Sequence, residues 1–176
     1  ISLGIYFLTQ NRFNLTNKTK QWLVLTEFLL PLLYFALALL ILSKFGEGGM
    51  VSRFDAFLLK DENGILAVFK NLVLHPSFAI SHLFMAKKLG YLFLMLAPLC
   101  FLPLLQRNWS TYFLALPLIV INLLPDWPYQ YDIGFQYSYG SGALLFIMTL
   151  LALEDLKLNK HINEKMVISL ILVGMI

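Results

Sequence analysis

The chain has 176 residues, of which 59% are hydrophobic and only 13% charged, and its formal net charge is +3. So few charged residues could not cover the surface of a water-soluble protein, which excludes the soluble globular class. The Lys and Arg residues lie between apolar blocks rather than in one patch, so the positive charge indicates membrane orientation and argues against a nucleic-acid partner.

Long apolar blocks follow one another along the chain, and the first complete block covers 22–43. It contains one charged residue, Glu27, and as a helix it would be about 33 Å long, which matches the ~30 Å hydrocarbon core of a bilayer. We therefore predict an all-α, polytopic transmembrane helix bundle in which residues 1–176 form one domain. Its predicted spans lie at about 22–43, 89–105, 109–124 and 139–154, with partial spans at 1–8 and 166–176.

The two partial spans lie at the chain ends, and both are apolar runs too short to cross a bilayer. We therefore expect the sequence to be a piece of a longer protein, and its partners to include membrane lipids and the remainder of the parent chain.

The connections between the blocks differ in charge. Residues 9–21 hold three basic and no acidic residues, whereas 125–138 hold two acids and no Lys or Arg. Because cytoplasmic loops are enriched in Lys and Arg, we predict a multi-pass cell-membrane protein with residues 9–21 on the cytoplasmic side. In this topology the aromatic turn around 125–138 and the segment 44–88 lie outside.

The outer segment 44–88 carries an amphipathic pattern. Ile65, Val68 and Leu72 recur at helical spacing, and Pro76 favours the start of a second short helix. The first helix is expected to lie along the membrane surface, either as a plain surface helix or as a lid over a lipid-facing site.

Proline residues fall inside the predicted spans, where each removes a backbone hydrogen bond and bends its helix. They are Pro31, Pro98, Pro103 and Pro117. Bent spans favour internal cavities, although proline is also ordinary in membrane helices.

The densest group of polar and aromatic residues lies in the outer turn. Aromatic faces suit sugar rings or prenyl chains, while carboxylates and amides hydrogen-bond to hydroxyl groups. The predicted substrate-binding residues are Asp126, Trp127, Tyr129, Tyr131, Asp132, Gln136 and Tyr137. The alternative interpretation is that Trp and Tyr anchor the membrane interface and that the acids are simply solvated.

Other reactive side chains are interpreted structurally. Glu27 is expected to make a buried contact, with a proton- or ion-coupling role as the alternative. His75 and His82 are interpreted as interfacial polar residues and Cys100 as a small packing residue, so we predict no metal site.

Several motifs together resemble a known family. They are KLGYLFLMLAPL from Lys88, FLPLL from Phe101, ALP from Ala115, INLL from Ile121 and IGFQYS from Ile133. This order of Pro-centred helices followed by an aromatic turn, over about 53–153, resembles the predicted prokaryotic membrane proteins of domain of unknown function 2079.

That family is similar in architecture to the C-type glycosyltransferases. The resemblance implies a polyprenyl-phosphate-linked sugar as donor substrate, transfer on the extracytoplasmic face, and an acidic general base on a first outer loop that this sequence does not contain. It assigns neither Asp126 nor Asp132 as catalytic, and it identifies no cofactor. The competing hypotheses are a membrane transporter or lipid flippase, and a noncatalytic membrane scaffold.

Overall fold

The computed structural model describes residues 2–9, 14–45, 52–60 and 62–158, together with 165, 166 and 169. In this part of the chain every regular element is helical, which confirms the all-α prediction. The α-helices are α1 (Ser2–Thr9), α2 (Asn17–Val24), α3 (Leu30–Phe45), α4 (Ile65–Leu74), α5 (Pro76–Leu83), α6 (Ala86–Leu96), α7 (Leu116–Leu123) and α8 (Ser138–Leu158). Most of the predicted partial span 166–176 lies outside the described residues.

The helices α2 and α3 join into one long rod. The rod begins at Thr16, whose hydroxyl accepts a hydrogen bond from the Thr19 N–H at 3.2 Å and so satisfies one of the free donors at the helix start. The 26-residue stretch Asn17–Leu42 is long and apolar enough to cross a membrane, and its most apolar part is not buried against the rest of the protein. Its exposed side chains therefore suit a lipid environment. The predicted span 22–43 lies within this rod.

A π-helical turn, Leu25–Leu29, connects α2 to α3. The Leu30 N–H reaches back to the carbonyl of Leu25, and the Thr26 hydroxyl donates to the carbonyl of Trp22 at 2.9 Å. The turn contains Glu27, which faces α1 at the position of Gly4. The backbone irregularity thus lies at the contact between α1 and the rod.

The predicted span 89–105 is not a single bent helix. Cys100 and Phe101 adopt left-handed backbone angles with φ of 50° and 56°, and short 3₁₀ turns lie on either side, at Ala97–Leu99 and Leu102–Leu104. Each 3₁₀ turn has its proline in the first turn, where the missing N–H costs nothing. The prolines therefore begin new short elements instead of bending one helix.

The predicted span 109–124 is also divided into separate helical elements. Residues Trp109–Phe113 form a 3₁₀ helix capped by the Asn108 side chain, and α7 starts separately with Pro117 in its first turn. The eight residues of α7 would cover only about 12 Å, which is less than the thickness of a bilayer core.

The helix α8 is the second long apolar helix, and the predicted span 139–154 lies within it. Residues Ser138–Lys157 are long and apolar enough to cross a membrane. One side of α8 contributes Leu145 and Met148 to a core that also contains Tyr6, Leu114 and Ala115. The Gln106 side chain donates to the Met148 carbonyl at 2.7 Å, so the segment that follows the helix interruption at Cys100 and Phe101 is held against α8.

The segment before α6 has a small core of its own, made by Phe57, Val68 and Ala79. The helices α5 and α6 are long and apolar enough to span only when taken together, and they are bent by 59° at their junction. The described residues therefore contain two candidate membrane spans, or three if this bent pair counts as one.

Candidate functional site

The aromatic turn, residues 126–137, follows α7 and contains a short 3₁₀ helix, Pro128–Tyr131. The ring centroids of Trp127 and Tyr129 are 5.6 Å apart, and those of Tyr129 and Phe135 are 4.6 Å apart. All three side chains are exposed. Together they form a continuous aromatic surface, which we call the aromatic platform.

Asp132 shapes the turn that brings Phe135 back to Tyr129. Its carboxylate accepts a hydrogen bond from the Gly134 N–H at 2.8 Å, and its carbonyl accepts one from the Phe135 N–H at 3.2 Å. Such an Asx turn is a typical use of aspartate. Asp132 is also exposed, so its carboxylate remains accessible at the edge of the platform.

Arg53 joins the other side of the platform from the 3₁₀ helix Ser52–Phe57. Its guanidinium carbon lies 5.3 Å from the ring centroid of Trp127 and 5.6 Å from that of Tyr137, as in cation–π contacts. Its backbone carbonyl accepts a hydrogen bond from the Asp126 N–H at 3.1 Å. The aromatic turn and the segment before α4 are therefore fixed to each other.

Lys88 lies on the inner side of the turn and is almost fully buried, with 1% of its surface exposed. Its ammonium nitrogen is 5.3 Å from the ring centroid of Tyr131 and has no hydrogen-bond partner among the described residues. Asp126 acts on Lys88 through its charge alone. Burial and the nearby Asp126 carboxylate raise the pKa of Tyr131.

His82 approaches the same region from α5. Its ring packs against Phe57 and Phe78, with centroid distances of 5.0 Å and 6.1 Å. Its Nε2 atom is buried and has no hydrogen-bond partner in the described structure, although Lys88 and Asp126 both interact with it electrostatically. Lys88 Nζ and His82 Nε2 are thus both buried without a hydrogen-bond partner among the described residues, and the charge of Asp126 acts on both side chains.

A buried polar network lies beneath the turn. The Asn122 side-chain amide donates to the Tyr137 carbonyl at 2.9 Å and to the Tyr91 hydroxyl at 3.3 Å. The Tyr91 hydroxyl in turn lies 3.4 Å from the hydroxyl of Ser141. The network connects the turn to α6, α7 and α8, so the position of the turn depends on all three helices.

The structure brings most of the predicted site residues into this arrangement. Trp127 and Tyr129 form part of the platform with Phe135, Asp132 supports its turn, and Tyr131 and Tyr137 contact cations, as described above. Asp126 interacts with both Arg53 and Lys88: its N–H donates to the Arg53 carbonyl, and its carboxylate charge acts on the Lys88 ammonium group. Gln136 is exposed, and its side chain makes no hydrogen bond within the described residues.

Sequence reasoning did not include Arg53, His82 or Lys88 in the site. A usable signal was present, because the predicted outer turn has two acids and no Lys or Arg, while the segment 44–88 carries six basic residues against four acids. This imbalance favours contact between the two outer segments, but it does not identify Arg53, His82 or Lys88. Among the described residues no group of three or more His, Cys, Asp or Glu side chains could hold a metal ion.

Comparison with known proteins gives a family and no described activity. No curated protein and no solved structure matches the chain. The model of one family, described as predicted membrane protein, domain of unknown function 2079 (DUF2079), matches residues 1–176. This match includes the aromatic turn, the segment that contacts it and both candidate spans, and it extends beyond the 53–153 region that carries the motif resemblance. The chain therefore belongs to the DUF2079 family of predicted membrane proteins.

Proposed function

We propose that the chain is part of a multi-pass cell-membrane glycosyltransferase that uses a polyprenyl-phosphate-linked sugar on the extracytoplasmic face. The observation that carries the proposal is the exposed aromatic platform, with Asp126 immediately before it in the chain and Asp132 at its edge. Aromatic faces bind the apolar side of a sugar ring, and carboxylates accept hydrogen bonds from its hydroxyl groups. The combination suits a sugar better than it suits a plain hydrocarbon chain.

In the proposed reaction, an acceptor hydroxyl attacks the anomeric carbon of the donor sugar. The bond between that carbon and the phosphate oxygen breaks, polyprenyl phosphate leaves, and a carboxylate base takes the hydroxyl proton. The platform and the two aspartates would hold the sugar during this step. The resemblance to C-type glycosyltransferases assigns the catalytic base to an acidic residue on a first outer loop, so neither Asp126 nor Asp132 is proposed as that base.

Mass spectrometry of membrane lipids tests the proposal in a host that lacks the full-length gene. Loss of a transferase should cause one sugar-loaded polyprenyl phosphate to accumulate, which would identify both the reaction and the donor. Unchanged pools of loaded carriers would contradict the proposal.

Complementation links the activity to the platform. We expect the wild-type gene to restore the lipid pools and Trp127→Ala to fail, since this change removes one end of the aromatic platform. Trp109→Ala is the matched control, because Trp109 is 82% exposed and lies outside the aromatic turn. Restoration by Trp127→Ala at the wild-type level would exclude the platform from sugar binding.

A further inference from the structure

Lys88 is buried in a way that its neighbour Lys87 is not. Both residues lie in the first turn of α6, but Lys87 is exposed while only 1% of the Lys88 surface is accessible. Buried lysine residues are rare unless they are paired, because removing an ammonium group from water is costly. The burial of Lys88 therefore needs a compensating interaction.

The described residues supply only part of that compensation. An ammonium group has three N–H donors, and the Tyr131 ring at 5.3 Å can take up one of them. Asp126 provides an attractive charge, but its carboxylate is not within hydrogen-bond distance of the amine. Asp126 is also exposed, so water screens its charge.

His82 is a second and independent observation at the same place. Its Nε2 atom is buried without a hydrogen-bond partner in the described part of the chain, and its ring is fixed by Phe57 and Phe78. His82 comes from α5 and Lys88 from α6, and the two interact electrostatically. Two nitrogen atoms on adjacent helices thus have hydrogen-bonding capacity that the described residues leave unused.

We propose that Lys88 Nζ and His82 Nε2 bind an oxyanion of the phosphate class. A phosphate group offers several acceptor oxygens to donors from different directions, and hydrogen bonds between ionised partners are the strong ones. Its negative charge would compensate the buried ammonium group. Either a polyprenyl phosphate or free inorganic phosphate carries this chemistry, and only the choice of the lipid as source rests on the proposed function.

The test uses the full-length protein in nanodiscs and follows its thermal unfolding midpoint as ligand is added. The probes are polyprenyl monophosphate, the corresponding polyprenol without phosphate, and inorganic phosphate. We expect the phosphorylated lipid to raise the midpoint of the wild-type protein and the polyprenol to leave it unchanged. A shift produced by inorganic phosphate alone supports the oxyanion site and overturns the lipid source.

The variants assign the effect to the site. Lys88→Met keeps most of the unbranched side chain without its charge, and we expect it to weaken phosphate binding about 10- to 100-fold. Lys87→Met is the matched control and should bind as the wild type does. If Lys88→Met fails to fold, His82→Phe, which keeps an aromatic ring against Phe57 and Phe78 but has no nitrogen donor, should weaken binding in the same direction. Equal binding by the wild type and the substituted proteins, or no binding by the wild type, overturns the proposal.

The lipid pools separate this inference from the proposed function. If deletion of the gene changes a loaded carrier and Lys88→Met restores the pool fully, the transferase stands and the lipid phosphate is excluded as the occupant of the Lys88 site, while the binding assay decides whether the site holds an oxyanion at all. If phosphate binding depends on Lys88 while deletion leaves every pool unchanged, the site stands and the transferase fails.

Discussion

Gly4 of α1 lies directly against Glu27 in the π-helical turn: a Cβ atom on Gly4 would come within 2.6 Å of the Glu27 Cβ. The obstructing atom is the base of a side chain and cannot swing away as the end of a flexible side chain can. The close approach of α1 to the rod therefore depends on glycine at this position.

We expect Gly4→Ala to destabilise the protein by about 1 to 3 kcal/mol, the usual cost of overpacking. Gly90→Ala is the control, because a Cβ atom at that position within α6 has no neighbour within 4 Å. That change should be neutral or slightly stabilising, since alanine favours helices. Thermal unfolding midpoints in detergent compare the two, and equal midpoints would contradict the close contact.

A second prediction concerns the pH dependence of the segment before α4. The carboxylate of Glu62 accepts hydrogen bonds from the Lys70 ammonium and the Asn71 amide, each at 2.6 Å, and these bonds lower the pKa of Glu62 below its usual value of 4.5. Because the pKa is lower in the folded state, the interaction stabilises the protein fully above the unfolded-state pKa. Its contribution is lost as the pH falls through the folded-state pKa.

The unfolding midpoint should therefore fall between about pH 5 and pH 3 more steeply in the wild type than in Glu62→Gln. Asp55→Asn is the control, because Asp55 is exposed and this substitution removes the same charge from the neighbouring 3₁₀ helix. The prediction fails if Asp55→Asn flattens the pH profile as much as Glu62→Gln does.

A third prediction concerns Arg53, whose guanidinium lies near both Trp127 and Tyr137. We expect Arg53→Ala to cost about 1 kcal/mol and to accelerate hydrogen exchange in the aromatic turn, because it removes these contacts while leaving the backbone bond to Asp126. Arg53→Lys should rescue only part of the protection, since lysine cannot stack as a planar group.

Lys60→Ala is the control for this measurement, because Lys60 is an exposed cation of the same segment. The role of Arg53 would be refuted by equal exchange rates in Arg53→Ala and Lys60→Ala.

The elements that the sequence predicts well are those governed by local composition. The rod around 22–43 and the helix around 139–154 follow from long apolar runs, and the aromatic turn follows from its density of Trp, Tyr and Asp. Prolines indicate irregularity but not its form. Leu99, next to the left-handed pair Cys100 and Phe101, packs against a core that includes residues of α8, and no local sequence rule contains such a tertiary contact.

The same limit applies to the site. Lys87 and Lys88 are adjacent and chemically identical, so the sequence alone does not distinguish the buried one from the exposed one. The difference arises because α6 turns its Lys88 side toward Tyr131, and that orientation is set by tertiary contacts. Arg53 is separated from Trp127 by 74 positions, so no rule based on sequence spacing predicts their contact.

The last prediction concerns the hydrogen bond by which Asn122 fixes the position of the aromatic turn. Asn122→Leu removes the amide that donates to the Tyr137 carbonyl at 2.9 Å, and leaving this partly buried carbonyl without its donor costs about 1 kcal/mol. Tyr91→Phe is the matched comparison, because it removes a hydroxyl from the same network and leaves the bond to Tyr137 in place. Hydrogen exchange of residues 133–138 should therefore accelerate in Asn122→Leu and stay close to the wild type in Tyr91→Phe. Equal acceleration would mean that the network acts as a unit, with Asn122 having no special role in positioning the turn.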